Sequence, residues 1–126
     1  MRYKFREFKD VGRRQVDIPK ITITRAGRIN FNKKFYEENW RYIDGDYVIF
    51  HYDPENTVIG LEFVIEFRSN TYPVRELPSG NGATVSAKAF LKHNEIPFDK
   101  TRSYKIERYE LEDKNKLQFF VVDLKQ

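Results

Sequence analysis

One short unit occurs twice in this chain, and this repetition constrains the fold more than any other feature of the sequence. The first copy, from Ile21 to Glu37, reads ITITRAGRINFNKKFYE, and the second, from Ser79 to Glu95, reads SGNGATVSAKAFLKHNE. When Gly27 is laid over Gly82, both copies continue with five residues, a lysine, one residue and a phenylalanine. Both copies predict the same order of elements: strand, turn, strand, short helix and hairpin. Such a repeat predicts two similar structural halves.

The local patterns of the first copy predict its elements one by one. Apolar and polar residues alternate on both sides of the Ala26-Gly27 turn, which predicts two short strands. Asn32 stands where a helix N-cap is expected, before a segment with aromatic residues at helical spacing. Residues 47–64 predict a hairpin around the turn Asp53 to Asn56, because its proline suits the second position of a type I turn.

The second copy predicts a similar series. Ser86 is the expected N-cap of a short helix over 87–93, and a second hairpin is expected after it. The arms of that hairpin are 103–109 and 117–124, and Glu112 to Asn115 form its turn.

The length of 126 residues predicts a single domain. Its predicted parts are an N-terminal basic arm or strand (1–19), repeat one (20–64), a connector (65–79) and repeat two (80–126). A lone unit of about 45 residues has too little apolar surface to fold alone, whereas two units can close a barrel without free edges. The predicted fold is therefore mainly β with short helices (α+β), as two pseudo-symmetric β-β-α-β-hairpin units that form a swapped-hairpin-like barrel.

The composition excludes several classes of protein. The chain has no cysteine, so disulfides, thiol nucleophiles and zinc-thiolate sites are excluded. It shows neither an apolar signal segment nor a long apolar run, which predicts a cytoplasmic protein without membrane association. His51 and His93 lack neighbouring acids at metal-ligand spacing, and the carboxylate pairs fall in turns. We therefore expect no enzyme activity, no cofactor and no metal.

Charge is distributed unevenly along the chain. Residues 1–41 hold twelve Lys/Arg against five Asp/Glu, whereas residues 42–70 hold one against six. A basic first third can seek phosphates, or it can serve as a solvated surface only.

The repeated unit resembles the swapped-hairpin DNA-binding domain of the AbrB/SpoVT/MazE-like family. The motif of that family, Gly-Arg followed by apolar residues and a basic helix, corresponds to 27–35, and its Gly-Asp turn to Asp44 to Val48. The arginine is replaced by Ala83 in the second copy, and Asn32 replaces the usual proline. MraZ-type relatives carry two such copies in tandem. The resemblance implies either a monomer with an internal pseudo-dimer or a homodimer.

Two functions follow from this sequence as expectations. The first is non-enzymatic binding of double-stranded DNA by a regulator-type protein, in which the basic strand-turn-helix of repeat one grips the duplex. By the resemblance, Arg25 and Arg28 face the major groove. The basic residues predicted to hold phosphates are Lys20, Lys33, Lys34, Arg13 and Arg14. The second function is a protein-interaction module with no nucleic-acid role, such as an antitoxin-like protein, an inhibitor or a phage or host accessory factor, with the acidic stretch 44–66 as its docking face.

Overall fold

Strands dominate the described residues, which are 18–39, 46–109 and 119–126 of this computed structural model. The strands are β1 (Lys20–Ile23), β2 (Arg28–Phe31), β3 (Tyr47–Asp53), β4 (Val58–Val64), β5 (Thr71–Pro73), β6 (Arg75–Glu76), β7 (Ala83–Ser86), β8 (Arg102–Lys105), β9 (Glu107–Arg108) and β10 (Phe119–Asp123). The helices are α1 (Lys33–Asn39) and α2 (Lys88–His93), and a 3-10 turn covers Pro78–Gly80. The predicted class, mainly β with short helices, is confirmed.

These strands form two antiparallel sheets of five strands each. Sheet A has the order β6-β7-β2-β1-β8, and sheet B has the order β5-β3-β4-β10-β9. Both sheets combine strands from the two predicted repeats, because β2 pairs with β7 and β4 pairs with β10. Neither half of the chain therefore completes a sheet by itself.

The core lies between the inner faces of the two sheets. Phe35 of α1 stands at its centre, with its ring centroid 5.2 Å from that of Phe31 on sheet A and 5.0 Å from that of Phe120 on sheet B. Phe90 of α2 is also buried and stacks on Phe50 of β3 at 4.7 Å. The two phenylalanines that the repeat aligns are thus both buried, but they pack against different rings.

The predicted barrel needs correction, because the described strands form two open sheets and no closed one. Consecutive strands separate where the chain bends from one sheet to the other. β5 and β6 separate at Val74, whose amide donates to the carbonyl oxygen of Asp46 at 2.8 Å. β8 and β9 separate at the buried Ile106. Bends in the chain at Val74 and Ile106, rather than strand pairing, thus connect the two sheets. The predicted hairpin arm 103–109 is divided between sheet A and sheet B.

The local predictions for repeat one are confirmed. β1 and β2 pair around the turn that ends at Gly27, which has a φ of +82°. Asn32 caps α1, since its Oδ1 accepts a hydrogen bond from the amide of Phe35 at 2.9 Å. In the β3–β4 hairpin, the Asp53 carboxylate accepts hydrogen bonds from the backbone amides of Glu55 and Asn56 at 3.1 and 3.3 Å.

Outside repeat one, the structure adds strands to the predicted connector and contradicts one predicted helix cap. The predicted connector contains β5 and β6, which pair with β3 and β7 and so extend the edges of both sheets. Ser86 is the last residue of β7 and does not cap α2, because pairing with Arg28 keeps it in the sheet. The residue at the cap position is Ala87, which has no capping side chain; its amide donates to the carbonyl oxygen of Gly27 at 2.8 Å.

Several predicted features lie outside the described residues: the N-terminal arm up to residue 17 with Arg13 and Arg14, Trp40, most of the turn at 43–46, and the turn from Glu112 to Asn115. In the part of the chain that the structure describes, neither helix has the length and apolar character needed to span a membrane.

Candidate nucleic-acid interface

The outer face of sheet A brings together two of the predicted DNA-binding residues. In a strand, successive side chains point to opposite faces, and facing residues of paired strands share a face. Ile21 and Ile23 of β1 are buried in the core, so Lys20 and Thr22 point outward. By the same alternation on β2, Arg28 points outward beside the buried Ile29.

A row of polar residues crosses all five strands of this face. Thr22 faces Ser103 on one side and Asn30 on the other, Asn30 faces Thr84, and Thr84 faces Arg75. Hydrogen bonds link parts of the row. The hydroxyl of Thr84 donates to Asn30 Oδ1 at 2.5 Å, and the hydroxyls of Thr22 and Ser103 are 2.8 Å apart. These bonds hold neighbouring side chains of the row to one another.

Charged residues lie on both sides of this polar row. Lys20 faces Lys105 on one side, and Arg28 faces Ser86 on the other. Thr24 lies opposite Arg28, because its amide donates to the carbonyl oxygen of Arg28. Lys20 lies four residues before Thr24, which is about 13 Å in extended backbone. We use the term basic face for the outward residues Lys20, Thr22, Arg28, Asn30, Arg75, Thr84, Ser86, Ser103 and Lys105. Four of these nine are cations, and none is acidic or aromatic.

The sequence did not reveal Arg75 and Lys105 as parts of this face. They lie about fifty and eighty residues from the first strand, in a predicted connector and a predicted hairpin arm. Only the strand order and register place Lys105 beside Lys20 and put Arg75 on the same face of the sheet. A local signal existed for Lys105, which alternates with apolar Tyr104 and Ile106, but nothing local connected it to β1.

Lys33 and Lys34 do not join the basic face. Both lie on α1 and pair with the acids one turn later: Lys33 Nζ is 3.9 Å from Glu37 Oε2, and Lys34 Nζ is 3.2 Å from Glu38 Oε2. Exposed pairs of this kind stabilise little, but each places a carboxylate beside the cation. A phosphate that approached either lysine would therefore meet a negative charge as well.

The start of α1 is also a poor site for a phosphate. The carboxamide of Asn32 already occupies it: Oδ1 accepts from the amides of Phe35 and Lys20, at 2.9 and 3.1 Å, and Nδ2 donates to the carbonyl oxygen of Ile18 at 2.9 Å. Asn32 thus joins the start of the helix to the start of β1. Its role in the fold is structural.

Arg25 lies in the turn between β1 and β2, beyond the end of sheet A. Its backbone amide donates to Thr101 Oγ1 at 3.3 Å. Its side chain lines a hollow of about 490 Å³ that also includes Lys92, Glu95 and Asp99 from α2 and the segment after it. Arg25 thus belongs to the turn and the hollow, whereas Arg28 belongs to the outer face of sheet A.

The two histidines have different positions. His51 Nε2 lies 3.1 Å from Glu62 Oε1 across the β3–β4 pair, and His93 is the last residue of α2. Among the described residues, no group of three His, Cys, Asp or Glu side chains is placed to bind a metal ion.

Comparison with known proteins gives no family for this chain: no protein-family model, no curated protein and no solved structure matches it.

Proposed function

We propose that this chain binds double-stranded DNA through the basic face of sheet A. One observation supports the proposal more than the others: the nine outward residues of the five-stranded sheet, of which Thr84 is buried, include four cations and no carboxylate. Cations that neutralise phosphates release condensed counterions, which supplies most of the affinity in non-specific DNA binding. The exposed hydroxyls of Ser86 and Ser103, which lie beside the cations, are groups that also bond phosphate oxygens.

A duplex suits this face better than a single strand does. Proteins that bind single strands without sequence preference stack the bases on exposed aromatic side chains. The basic face has no aromatic residue, so it can bind a sugar-phosphate backbone but cannot stack unpaired bases. The proposed partner is therefore a regular, base-paired helix, and the proposed activity is non-enzymatic and cytoplasmic.

We also propose that the two halves of the fold correspond to two swapped-hairpin units in one chain. It is supported by reciprocal contacts of the two turn glycines. Gly27 packs against Lys88 at the start of α2, and Gly82 packs against the Phe31 carbonyl and Asn32 before α1. A shift of fifty-five residues moves Gly27 onto Gly82, and it also moves β2 onto Ala83–Ser86.

Salt dependence tests the DNA proposal directly. Fluorescence anisotropy with a labelled duplex of random sequence, from about 50 to 200 mM salt, measures the slope of log K against log salt concentration. Four phosphate contacts predict a slope of about −3 to −4. A single strand of the same length serves as the matched control, and we expect it to bind more weakly. Absence of duplex binding at about 50 mM salt, or a slope near zero, would exclude the proposal.

Protein binding is the second candidate function, and a different surface favours it. Ile65 and Phe67, which follow β4, are 63% and 72% exposed, and Phe67 packs its ring against Tyr47 with centroids 5.8 Å apart. Exposed apolar side chains that contact one another mark interaction sites more often than isolated ones do. The position of this patch beside sheet B leaves the basic face free.

A further inference from the structure

The outer face of sheet B contains a groove that no function considered above uses. Gly60, in the middle of β4, has no side chain, and it lies between His51 of β3 and Val121 of β10. The groove has a volume of about 430 Å³. It is lined by residues of β3, β4, β10 and the hairpin turn, together with Tyr109 after β9. This volume falls within the range of ligand pockets and is large enough for an extended side chain.

Three rings border the groove in a continuous series. The Phe119 ring stands in the middle, with its centroid 5.4 Å from that of His51 and 5.9 Å from that of Tyr109. The Phe119 ring also packs over the backbone of Gly60, so a Cβ at that position would lie 2.8 Å from Phe119 Cζ. Faces of aromatic rings attract cations through their quadrupole, and arginine is the commonest partner.

Carboxylates lie along the groove. Glu62 faces Phe119 and lies 3.1 Å from His51 Nε2, and Asp53 lines the groove at the hairpin end. Two more carboxylates are added by strand register, because Glu107 faces Val121 and Asp123 faces Val58. Among the described residues, Lys125 opposes these carboxylates through its interaction with Asp53.

Asp53 in particular keeps its negative charge. The Asn56 side chain and the backbone amides of Asn56 and Glu55 donate hydrogen bonds to its carboxylate, and together with Lys125 they lower the pKa of Asp53. The hairpin turn therefore fixes an ionised carboxylate at one end of the ring-lined groove.

We propose that this groove binds the arginine side chain of a protein partner, with the guanidinium against the Phe119 and Tyr109 rings and beside Asp53. The charge of the groove selects a cation, and the rings favour a planar cation over a compact ammonium. The same charge repels nucleic acid, which keeps this site separate from the basic face. The inference specifies the chemistry of the partner for the second candidate function and rests on it.

The exposed apolar patch defines a second feature of the partner. Tyr47, which Phe67 contacts, and His51, at the groove, are both outward residues of β3. They are four residues apart, or about 13 Å in extended backbone. An extended partner segment with an aromatic residue and an arginine four positions later would reach both places.

The probe is the peptide acetyl-Phe-Ser-Gly-Ser-Arg-amide, titrated into the ¹⁵N-labelled full chain and followed by amide NMR shifts. We expect saturable shifts of the Gly60, Val121 and Asp53 amides. The matched control carries citrulline in place of arginine, which keeps the shape and removes the charge, and we expect at least about tenfold weaker binding. Equal affinity of the two peptides, or no shifts up to about 10 mM peptide, would overturn the proposal.

Two variants locate the site. Tyr109→Leu removes one ring at a half-exposed position and should weaken binding of the arginine peptide about two- to fivefold. Asp53→Asn should weaken it further, whereas Asp99→Asn, outside the groove, should not change it. If Tyr109→Leu, folded by its NMR spectrum, binds the peptide as wild type does, the groove is not the site.

A Phe→Ala version of the peptide separates this inference from the function on which it rests. Loss of the phenylalanine should weaken binding and remove shifts at Tyr47 while shifts at Gly60 persist. Suppose that the citrulline peptide still shifts Tyr47, but that no peptide shifts Gly60. The apolar patch then binds the peptide, and the proposal that the groove binds arginine is wrong. Duplex affinity should be unchanged in Tyr109→Leu, because the basic face lies on the other sheet.

Discussion

A Cβ atom on Gly27 would lie 2.7 Å from the Cβ of Lys88, at the point where the first turn meets the start of the second helix. Gly27 also has a φ of +82°, and its carbonyl oxygen accepts the amide of Ala87 at 2.8 Å. The contact joins the two halves of the chain. It requires glycine for two independent reasons, which are the positive φ and the close approach of Lys88.

Three Gly→Ala variants should differ in stability in a fixed order. Gly82→Ala should cost most, because its φ is +114° and the new Cβ would collide with the carbonyl oxygen of Phe31. Gly27→Ala should follow, since Lys88 obstructs it. Gly80→Ala is the matched control: its φ of +68° brings strain of about 1–2 kcal/mol, but no atom lies within 4 Å. Urea unfolding measures all three. A cost for Gly80→Ala equal to that for Gly82→Ala would contradict the packing argument.

Phe35→Ala and Phe90→Ala should both destabilise the fold, by about 3–5 kcal/mol for buried rings. We expect the larger loss at Phe35, because its ring contacts both sheets, whereas Phe90 stacks on Phe50 of sheet B. The exposed Phe67 provides the control, and Phe67→Ala should change the free energy of unfolding by less than about 0.5 kcal/mol. Chemical unfolding measures the loss of stability in each variant. A larger loss for Phe90→Ala would show that α2 contributes more to the stability of the core than α1 does.

Loss of cations from the basic face should reduce the salt dependence of DNA binding stepwise. Arg28→Ala and Lys105→Ala should each lower the magnitude of the slope by about 0.9, since each removes one phosphate contact. The double variant Lys33→Ala and Lys34→Ala removes two positive charges from α1, where both lysines are paired with glutamates. It should leave the slope nearly unchanged. Anisotropy titrations at several salt concentrations provide the measurement. A larger effect of this double variant would instead place the DNA-binding site on the strand-turn-helix of repeat one, as the sequence predicts.

Alkaline pH should weaken the contact between α1 and β6. Burial, the hydrogen bond with Glu76 and the negative charge of Glu76 together raise the pKa of Tyr36 from 10.0 to about 12. Because the folded pKa exceeds the unfolded one, this stabilisation is complete below about pH 10 and is lost as the pH rises to about 12. Glu76→Gln should move the Tyr36 titration toward 10 without reaching it, since burial remains.

The Tyr36 titration can be followed by tyrosinate absorbance or by NMR, and unfolding by urea at pH values across that interval. Glu107→Gln, on sheet B, is the control and should leave the Tyr36 titration unchanged. If Glu76→Gln has no effect on the pKa of Tyr36, the contact between α1 and β6 does not form.

Local sequence determined the elements whose signals are contained within a few residues. The β1–β2 turn needed Gly27 at positive φ, the cap needed Asn32, and the β3–β4 turn needed Asp53 to bind the amides that follow it. In each case the interacting groups are at most four residues apart, so the pattern itself contains the physics.

Only the tertiary structure decided which strands are neighbours, and therefore the composition of the basic face. β5 and β6 are too short to show an alternation, yet they fill the edges of sheets whose unpaired backbone groups need partners. The same long-range pairing holds Ser86 in β7 instead of at a helix cap and bends the chain at Ile106. Pairing between distant strands placed Lys105 beside Lys20, and Arg75 on the same face of the sheet, because register depends on contacts that no local window of sequence contains.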